Sequence, residues 1–177
     1  MLEDLLLRKS SSILNRWLDA VFETYPADSQ RFLRKQKDPF ANPVGTTLRR
    51  ELENLFGEII RHTETEKLTA SLDRIIRIRA VQDFSASQAV SFVLMLKRAV
   101  RSELQEEIAD GSLDEELHRF ESRIDDILLC AVDLYAKCKE KIFEIRVKES
   151  RNQVARLLER AGLAGELPPH SSREIPS

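Results

Sequence analysis

Polar side chains that could bind a small ligand are concentrated at two predicted connections between helices. The first connection is the segment KDPFANPVG, residues 37–45, whose two prolines stiffen the backbone. The second follows a predicted helix that ends near Val81, where arginine and glutamine offer the N–H donors that an anionic or amide ligand needs. In one interpretation, the two connections together line a pocket between helices. The candidate ligand-binding residues are Asp38, Phe40, Asn42, Arg77, Arg79, Gln82 and Asp83.

Both groups of residues also have a structural interpretation that needs no ligand. The loop 37–45 would then be a rigid connector that places Phe40 in the core, with Asn42 as the N-cap and Pro43 as the first residue of the next helix. Gly45 would allow a positive φ. The arginines at the second corner would interact favourably with the negative end of the helix macrodipole. At the level of the sequence both interpretations stay open.

Residue patterns typical of catalysis or of metal and cofactor binding are absent from the sequence. It has no glycine-rich phosphate loop, no Cys-x-x-Cys and no His-Glu-x-x-His. The three histidines, His62, His118 and His170, are scattered, and none has the surroundings of an axial haem ligand. The acidic stretch 103–126 lacks the alternating oxygen ligands of a calcium loop. We therefore expect no enzyme, with no catalytic residues, no metal ligands and no cofactor.

Composition and charge indicate a soluble helical protein. The chain has 177 residues, a net charge of −2 and 33% charged residues, which suits one domain with its own core. The weak net charge argues against a general nucleic-acid binder. Glu3 and Asp4 stand where a secretory signal would be basic, and the apolar runs are too short to span a bilayer. With Cys130 and Cys138 as reduced thiols, we expect a cytoplasmic protein without nucleic-acid partners or membrane insertion.

A central helix is predicted around the most apolar stretch of the chain. Ser85 and Gln88 fit a capping box, and 89–96 is apolar at every position except Ser91. A helix that is apolar on nearly all sides is surrounded by other helices, so a helix from about 86 to 110 is expected inside an all-α bundle. The predicted organisation is a single domain over 1–161, with further helices over about 2–24, 43–62 and 64–81, and a disordered polar tail over 162–177.

The last predicted helix runs from Leu113 to Ala161 without Pro or Gly. Its first half repeats apolar residues every three or four positions up to Cys138, which predicts packing against the bundle. Its second half has a sparser apolar stripe and an excess of basic residues. We expect this half to pair with a second copy of the chain or with another protein, and folding back onto the core is the alternative. The candidate partner-binding residues are Ile142, Ile145, Arg146, Val154, Leu157 and Leu158.

Three segments of the sequence resemble one protein family. They are KDPFANPVG (37–45), IRAVQDFSASQAVSFVLMLKR (78–98) and DLYAKCKEKIFEIRVKE (133–149). These segments are similar to the N-terminal domain of RsbRD-type RsbT co-antagonist proteins, and the similarity covers about residues 2–160. The resemblance implies a bacterial sensory or regulatory domain of the stressosome type, which precedes a STAS domain in such proteins. It also implies a globin-like helical bundle that has lost haem.

Two functional hypotheses follow from the residues and from this resemblance. No STAS segment follows the helices in this sequence, so we expect a stand-alone sensor or adaptor. The leading hypothesis is a non-enzymatic regulatory domain that forms a homodimer, or binds a regulatory protein, through its C-terminal helix. The alternative is a small-ligand sensor with a pocket between helices near the loop 37–45.

Overall fold

The computed structural model describes residues 2–36, 38–61, 65–82 and 84–162. Over these residues the chain forms seven α-helices and no β-strand, which confirms the predicted all-α class. The globin-like arrangement stays a prediction. In chain order the helices are α1 (Leu2–Arg8), α2 (Ser10–Glu23), α3 (Ala27–Lys35), α4 (Pro43–Arg61), α5 (Thr65–Val81), α6 (Ala86–Glu103) and α7 (Asp114–Arg160).

The chain divides into two units, Met1–Lys139 and Glu140–Ser177. The first unit contains α1 to α6, the first part of α7 and the hydrophobic core. The second unit contains the end of α7, and none of its described residues is buried. The single domain over 1–161 stays a prediction, and the predicted tail beyond residue 162 lies outside the described residues.

The core of the first unit is centred on Trp17 of α2, which is fully buried. Its ring packs edge-on against Phe56 of α4 and stacks on Phe92 of α6, with both pairs of ring centroids 6.5 Å apart. The indole Nε1 donates a hydrogen bond of 2.7 Å to the carbonyl oxygen of Phe92. The buried polar atom of this large side chain is therefore paired, and Trp17 joins three helices at one point.

The central helix α6 begins at the predicted residue and ends earlier than predicted. Ser85 Oγ accepts the N–H of Gln88, and Gln88 Oε1 accepts the N–H of Ser85, so the predicted capping box is confirmed. The helix ends at Glu103 instead of continuing to 110, and turns follow up to Gly111, whose φ is +75°. Seven residues of α6 are buried, whereas Leu94 is 39% exposed and several polar residues of the helix are exposed as well, so α6 has one buried face and one face in solvent.

The first predicted helix is interrupted once. We expected one helix over 2–24, but α1 ends at Arg8 and α2 begins at Ser10. Lys9 between them donates from Nζ to the carbonyl oxygen of Glu103, at 2.7 Å. Ser12, in the run of three serines that follows, donates from Oγ to a carboxylate oxygen of Glu103, so two side chains at this junction bind the end of α6. The spacing of apolar residues does not reveal the break at Lys9, so the sequence predicted one continuous helix.

The first part of α7 packs on the bundle through the predicted apolar repeat as far as Ala131, after which Tyr135 is buried while Leu134 and Cys138 are only half-buried. Its buried face is anchored by Tyr135, whose hydroxyl donates to the carbonyl oxygen of Phe84 at 3.1 Å. Lys139 Nζ donates to the carbonyl oxygen of Ala80 at 3.4 Å. Ala80 lies in the last turn of α5 and Phe84 lies in the α5–α6 connection, so α7 contacts both. The buried residues of this face are Leu117, Phe120, Ile124, Ile127, Ala131 and Tyr135.

Candidate functional site

Arg79 is the largest polar side chain in the core and is fully buried. It lies in the last turn of α5, on the same face as Leu72, Ile75 and Ile76, which are also fully buried. The spacing of three and four residues from Leu72 through Ile76 leads directly to position 79. Arg79 therefore points into the bundle. An interaction with the helix macrodipole alone would not require a buried arginine, so it does not explain this position.

The guanidinium of Arg79 is held by neutral acceptors. Its Nε donates to the carbonyl oxygen of Ala89 at 2.9 Å. Its Nη2 donates to the carbonyl oxygen of Gln88 at 2.8 Å and to Thr24 Oγ1 at 3.1 Å. Nη1 has no hydrogen-bond partner within the part of the chain that the structure describes. One N–H-bearing nitrogen of a buried cation is thus left for a further acceptor.

Three aromatic rings surround the same guanidinium. Its central carbon lies 4.4 Å from the ring centroid of Phe84, 5.5 Å from that of Tyr25 and 5.9 Å from that of Phe92. Tyr25 and Phe84 contact each other edge to face, with centroids 5.2 Å apart. Cation–π attraction stabilises such an arrangement, most strongly where water is excluded. Burial lowers the pKa of Arg79, and the adjacent Tyr25 opposes this shift.

Two more buried polar atoms near Arg79 lack hydrogen-bond partners among the described residues. They are the hydroxyl oxygen of Tyr25 and Oε1 of Gln82. Burial raises the pKa of Tyr25, while the nearby Arg79 and Gln82 side chains lower it by a smaller amount. These two contributions are electrostatic attraction and side-chain contacts of the Tyr25 hydroxyl with Arg79 and Gln82, so the three side chains interact with one another. The α5–α6 corner thus concentrates unpaired polar atoms beside a buried positive charge.

An open cleft of about 650 Å³ lies over this corner. Its volume is in the range of small-molecule sites, and apolar and polar side chains are mixed in its walls. A second cleft of about 420 Å³ shares Tyr25, Ser29 and Gln82 with it and extends to Asn42. We call the larger one the Arg79 cleft, after the residue beneath it. It is lined by Thr24, Tyr25, Pro26, Ser29, Gln82, Phe84 and Gln88.

Asn42 has a structural role at the start of α4. It is 1% exposed, and its Nδ2 donates to the carbonyl oxygens of Gln36 at 2.9 Å and Leu33 at 3.2 Å. Its Oδ1 accepts the N–H of Gly45 at 2.9 Å, as an N-cap side chain does. Gly45 lies inside α4 and does not have the positive φ that its residue type would allow. Glycine is needed at this position for another reason, since a Cβ here would overlap the side-chain amide of Asn42.

The placement of Phe40 in the core was wrong. Phe40 is 96% exposed, and its N–H donates to Oδ1 of Asp38 at 3.0 Å in a short turn. This turn directs the buried Asn42 inward and leaves the aromatic ring in solvent. Arg77 is also exposed and pairs with Asp73 at 2.6 Å. Asp83 lies outside the described residues, so the structure brings together Arg79 and Gln82 from the second corner.

The end of α7 carries the candidate partner-binding residues. Val154, Leu157 and Ile145 are exposed large apolar side chains, Arg146 is exposed, and Ile142 and Leu158 are half-buried. Sequence reasoning missed Phe143, which is 68% exposed. Counted from Phe143, small or apolar residues recur at alternating steps of four and three. We call this set the α7 seam, and it consists of Phe143, Val147, Ser150, Val154, Leu157 and Ala161.

The described residues offer neither a metal-binding cluster nor a membrane-spanning helix. They contain no group of three or more His, Cys, Asp or Glu side chains that could hold a metal ion. None of the helices over these residues combines the length and apolar character needed to cross a membrane. Cys130 and Cys138 are free thiols, and burial raises the pKa of Cys138.

Comparison with known proteins identifies a family. The family model described as the RsbT co-antagonist protein rsbRD N-terminal domain matches residues 11–150. No curated protein and no solved structure shows significant similarity to the chain. The match spans α2 to α6 and most of α7, and includes the Arg79 cleft. The chain therefore belongs to the RsbRD N-terminal domain family, which has a stressosome-related regulatory or sensory role.

Proposed function

We propose that the chain is a non-enzymatic regulatory domain of a cytoplasmic protein and acts by pairing with a second copy of itself through the α7 seam. The proposal rests on the alternating three- and four-residue spacing of small or apolar residues from Phe143 to Ala161. This spacing averages three and a half residues, the repeat of left-handed coiled coils. None of the described residues of this unit is buried within the chain, so the seam is available to a partner.

The residue types of the seam favour a second copy as that partner. With Phe143 at a d position, Val147 and Val154 fall at a positions and Leu157 at d. β-branched residues at a with Leu at d favour parallel two-stranded coiled coils. A seam of this kind is complementary to itself under two-fold symmetry. These features support a parallel homodimer.

The candidate partner-binding residues divide around this seam. Val154 and Leu157 belong to it, and Arg146 and Leu158 flank it at the g and e positions. Ile142 and Ile145 fall at c and f, on the outer side of the proposed pair. We therefore assign self-association to the seam and leave Ile142 and Ile145 as the surface for a regulatory protein partner.

Sedimentation velocity of the full chain tests this proposal. The unchanged protein is expected to sediment as a dimer, and Leu157→Lys as a monomer, because it places a charge at a d position. The matched control is Ile145→Lys, which adds the same charge to the same helix outside the seam and should stay dimeric. A monomeric parent protein, or a dimer that survives Leu157→Lys, would contradict the proposal.

A second candidate function is small-ligand sensing in the Arg79 cleft. It is supported by the unpaired buried atoms of Tyr25, Arg79 and Gln82 beside an open cleft of suitable size. A thermal-melting screen with a chemically diverse set of small molecules tests it on the full chain. Ligands of this site should stabilise the protein, and Arg79→Ala with Gln82→Ala should abolish the shift. An unaltered shift in the double variant would place the binding elsewhere.

A further inference from the structure

We propose that Arg79 anchors a small carboxylate ligand in the Arg79 cleft, an inference that rests on the second candidate function. The starting observation is three buried polar atoms without hydrogen-bond partners among the described residues: Nη1 of Arg79, Oη of Tyr25 and Oε1 of Gln82. Buried polar groups are almost always hydrogen-bonded, and leaving them unpaired is destabilising. Tyr25 and Gln82 line the cleft, and the Arg79 guanidinium lies behind the Tyr25 and Phe84 rings, so these are the donors and acceptors that a ligand entering the cleft would meet.

The charge of Arg79 selects an anion over a neutral ligand. Arginine stays protonated in proteins, and every acceptor that holds this guanidinium is a neutral carbonyl or hydroxyl oxygen. None of the carboxylates in the described ranges forms an ion pair with it. A buried charge is strongly favoured when an opposite charge accompanies it. A bound anion would supply that opposite charge.

The donor set suits a carboxylate with an apolar body. A carboxylate has two acceptor oxygens, so one anion accepts from Arg79 Nη1 and from the Tyr25 hydroxyl together. The side-chain amide of Gln82 can donate a hydrogen bond to a ligand oxygen through its NH2 group, or accept one from a ligand hydroxyl through Oε1. Pro26 and the Phe84 ring line the same cleft and would contact the apolar part.

The structure also indicates how a ligand would reach the guanidinium. Thr24, Tyr25, Phe84 and Gln88 each contact Arg79 and each line the cleft, whereas Arg79 itself does not line it. The rings of Tyr25 and Phe84 thus cover the cation. Binding at Nη1 requires one of these rings to rotate aside, and a bound carboxylate would hold the site in that rearranged form.

Thermal melting and isothermal titration calorimetry of the full chain test this inference. The probes are sodium acetate, butyrate and benzoate, with benzamide as the neutral match of benzoate. We expect at least one carboxylate to raise the melting temperature in a saturable way and benzamide to leave it unchanged. No shift with any carboxylate overturns the inference. An equal shift with benzamide also overturns it, but leaves the ligand-sensing function intact.

Inorganic phosphate separates the two common kinds of small anion. Phosphate brings the same sign of charge without a planar pair of oxygens or an apolar body. A shift with phosphate that no carboxylate reproduces would overturn the carboxylate assignment. A carboxylate shift that phosphate does not reproduce supports it.

Variants at two arginines on one helix locate the anion. Arg79→Met should raise the carboxylate Kd by about tenfold or more, because a charge-assisted hydrogen bond is lost. Arg77→Met is the matched control, since Arg77 is exposed and paired with Asp73 on the same helix. Its Kd should match that of the parent chain. Equal effects of the two changes would overturn the assignment to Arg79.

Tyr25→Phe keeps the inference testable if Arg79→Met does not fold. This change retains the ring against Arg79 and removes only the unpaired hydroxyl. Loss of one hydrogen bond should raise the carboxylate Kd about threefold to tenfold. A Kd unchanged from the parent chain would contradict a carboxylate bound at this hydroxyl.

Discussion

The guanidinium carbon of Arg79 lies 4.4 Å from the centre of the Phe84 ring. Arg79 closes the last turn of α5, and Phe84 stands just before the capping residue of α6. The carbonyl oxygen of Phe84 also accepts the hydroxyl of Tyr135 on α7. The α5–α6 connection is thus fixed from two sides, by a buried cation and by a helix of the same unit. Phe84, which lines the Arg79 cleft, therefore contacts both Arg79 of α5 and Tyr135 of α7.

Trp17 should dominate the stability of the bundle. Trp17→Ala removes a fully buried ring that contacts Phe56 and Phe92, so the free energy of unfolding should fall by about 3–5 kcal/mol. Phe40→Ala is the control, because that ring is almost wholly in solvent, and should change it by less than about 0.5 kcal/mol. Urea denaturation followed by circular dichroism measures both. Similar losses for the two changes would refute this view of the core.

The buried carboxylate of Glu51 should make stability depend on pH. Burial by itself would raise the pKa of Glu51, but the contacts with Arg74 at 3.0 Å and Arg50 at 2.9 Å outweigh it, so the pKa is lowered. The unfolded chain then binds this proton more readily than the folded one, and stability present above the unfolded pKa is lost as pH falls through the folded pKa.

Glu51→Gln should therefore reduce the loss of stability below about pH 4.5. Urea denaturation between neutral pH and about pH 3 measures this slope. Glu53→Gln, at an exposed position of the same helix, is the control and should keep the parent slope. If both variants lose stability with acid as steeply as the parent, Glu51 is not the responsible group.

Asn42 and Gly45 should be energetically coupled. Asn42→Ala removes the cap of α4 and should cost about 1–2 kcal/mol. In the parent chain, Gly45→Ala should also destabilise, because a Cβ there would overlap the Asn42 amide, with Oδ1 only 2.7 Å away. In the Asn42→Ala background the same change should cost little. Additive effects in a double-mutant cycle would argue against this contact.

Salt should strengthen the proposed homodimer. Residues 140–160 contain six basic and four acidic side chains, a net charge of +2. Arg146 and Arg151 flank the α7 seam, so two copies repel each other electrostatically, and salt screens this repulsion. The dimer dissociation constant from sedimentation equilibrium should fall as sodium chloride is raised. Dissociation at high salt would instead indicate pairing through opposite charges.

Local patterns predicted the fold class and the start of α6 well. The Ser85–Gln88 capping box depends on four consecutive residues, and the structure has both of its hydrogen bonds. The exposure of Phe40 could not be predicted from local sequence, because the pattern does not show whether Phe40 or Asn42 faces the core. The polar Asn42 was buried, since it pairs with two carbonyl oxygens and one N–H that the turn leaves in its reach.

The burial of Arg79 was partly visible in the sequence. Its spacing from Leu72, Ile75 and Ile76 places it on the apolar face of α5. The rings of Phe84 and Phe92 follow Arg79 across the α5–α6 connection and the ring of Tyr25 comes from much earlier in the chain, so no helical spacing predicts that the three surround it. The sequence thus identified Arg79 as a candidate ligand-binding residue, but it did not predict the aromatic rings that surround the guanidinium.

The candidate partner-binding residues at the end of α7 combine two phases of apolar residues, and which phase binds a partner stays a prediction. Ile142 and Ile145 continue the repeat that ends at Cys138, but the next positions of that repeat are Glu149 and Asn152. The phase that starts at Phe143 stays small or apolar up to Ala161, and Phe143 itself is exposed.

Disulfide cross-linking at Ser150 tests the central claim most directly. In a chain with Cys130 and Cys138 changed to Ser, Ser150→Cys places one thiol at a d position, where two parallel copies bring the pair within disulfide reach. Asn152→Cys, on the outer side of the helix, is the control. The account predicts a covalent dimer under mild oxidation for Ser150→Cys and little for Asn152→Cys. Equal cross-linking at both positions, or none at Ser150→Cys, would contradict self-association through the α7 seam.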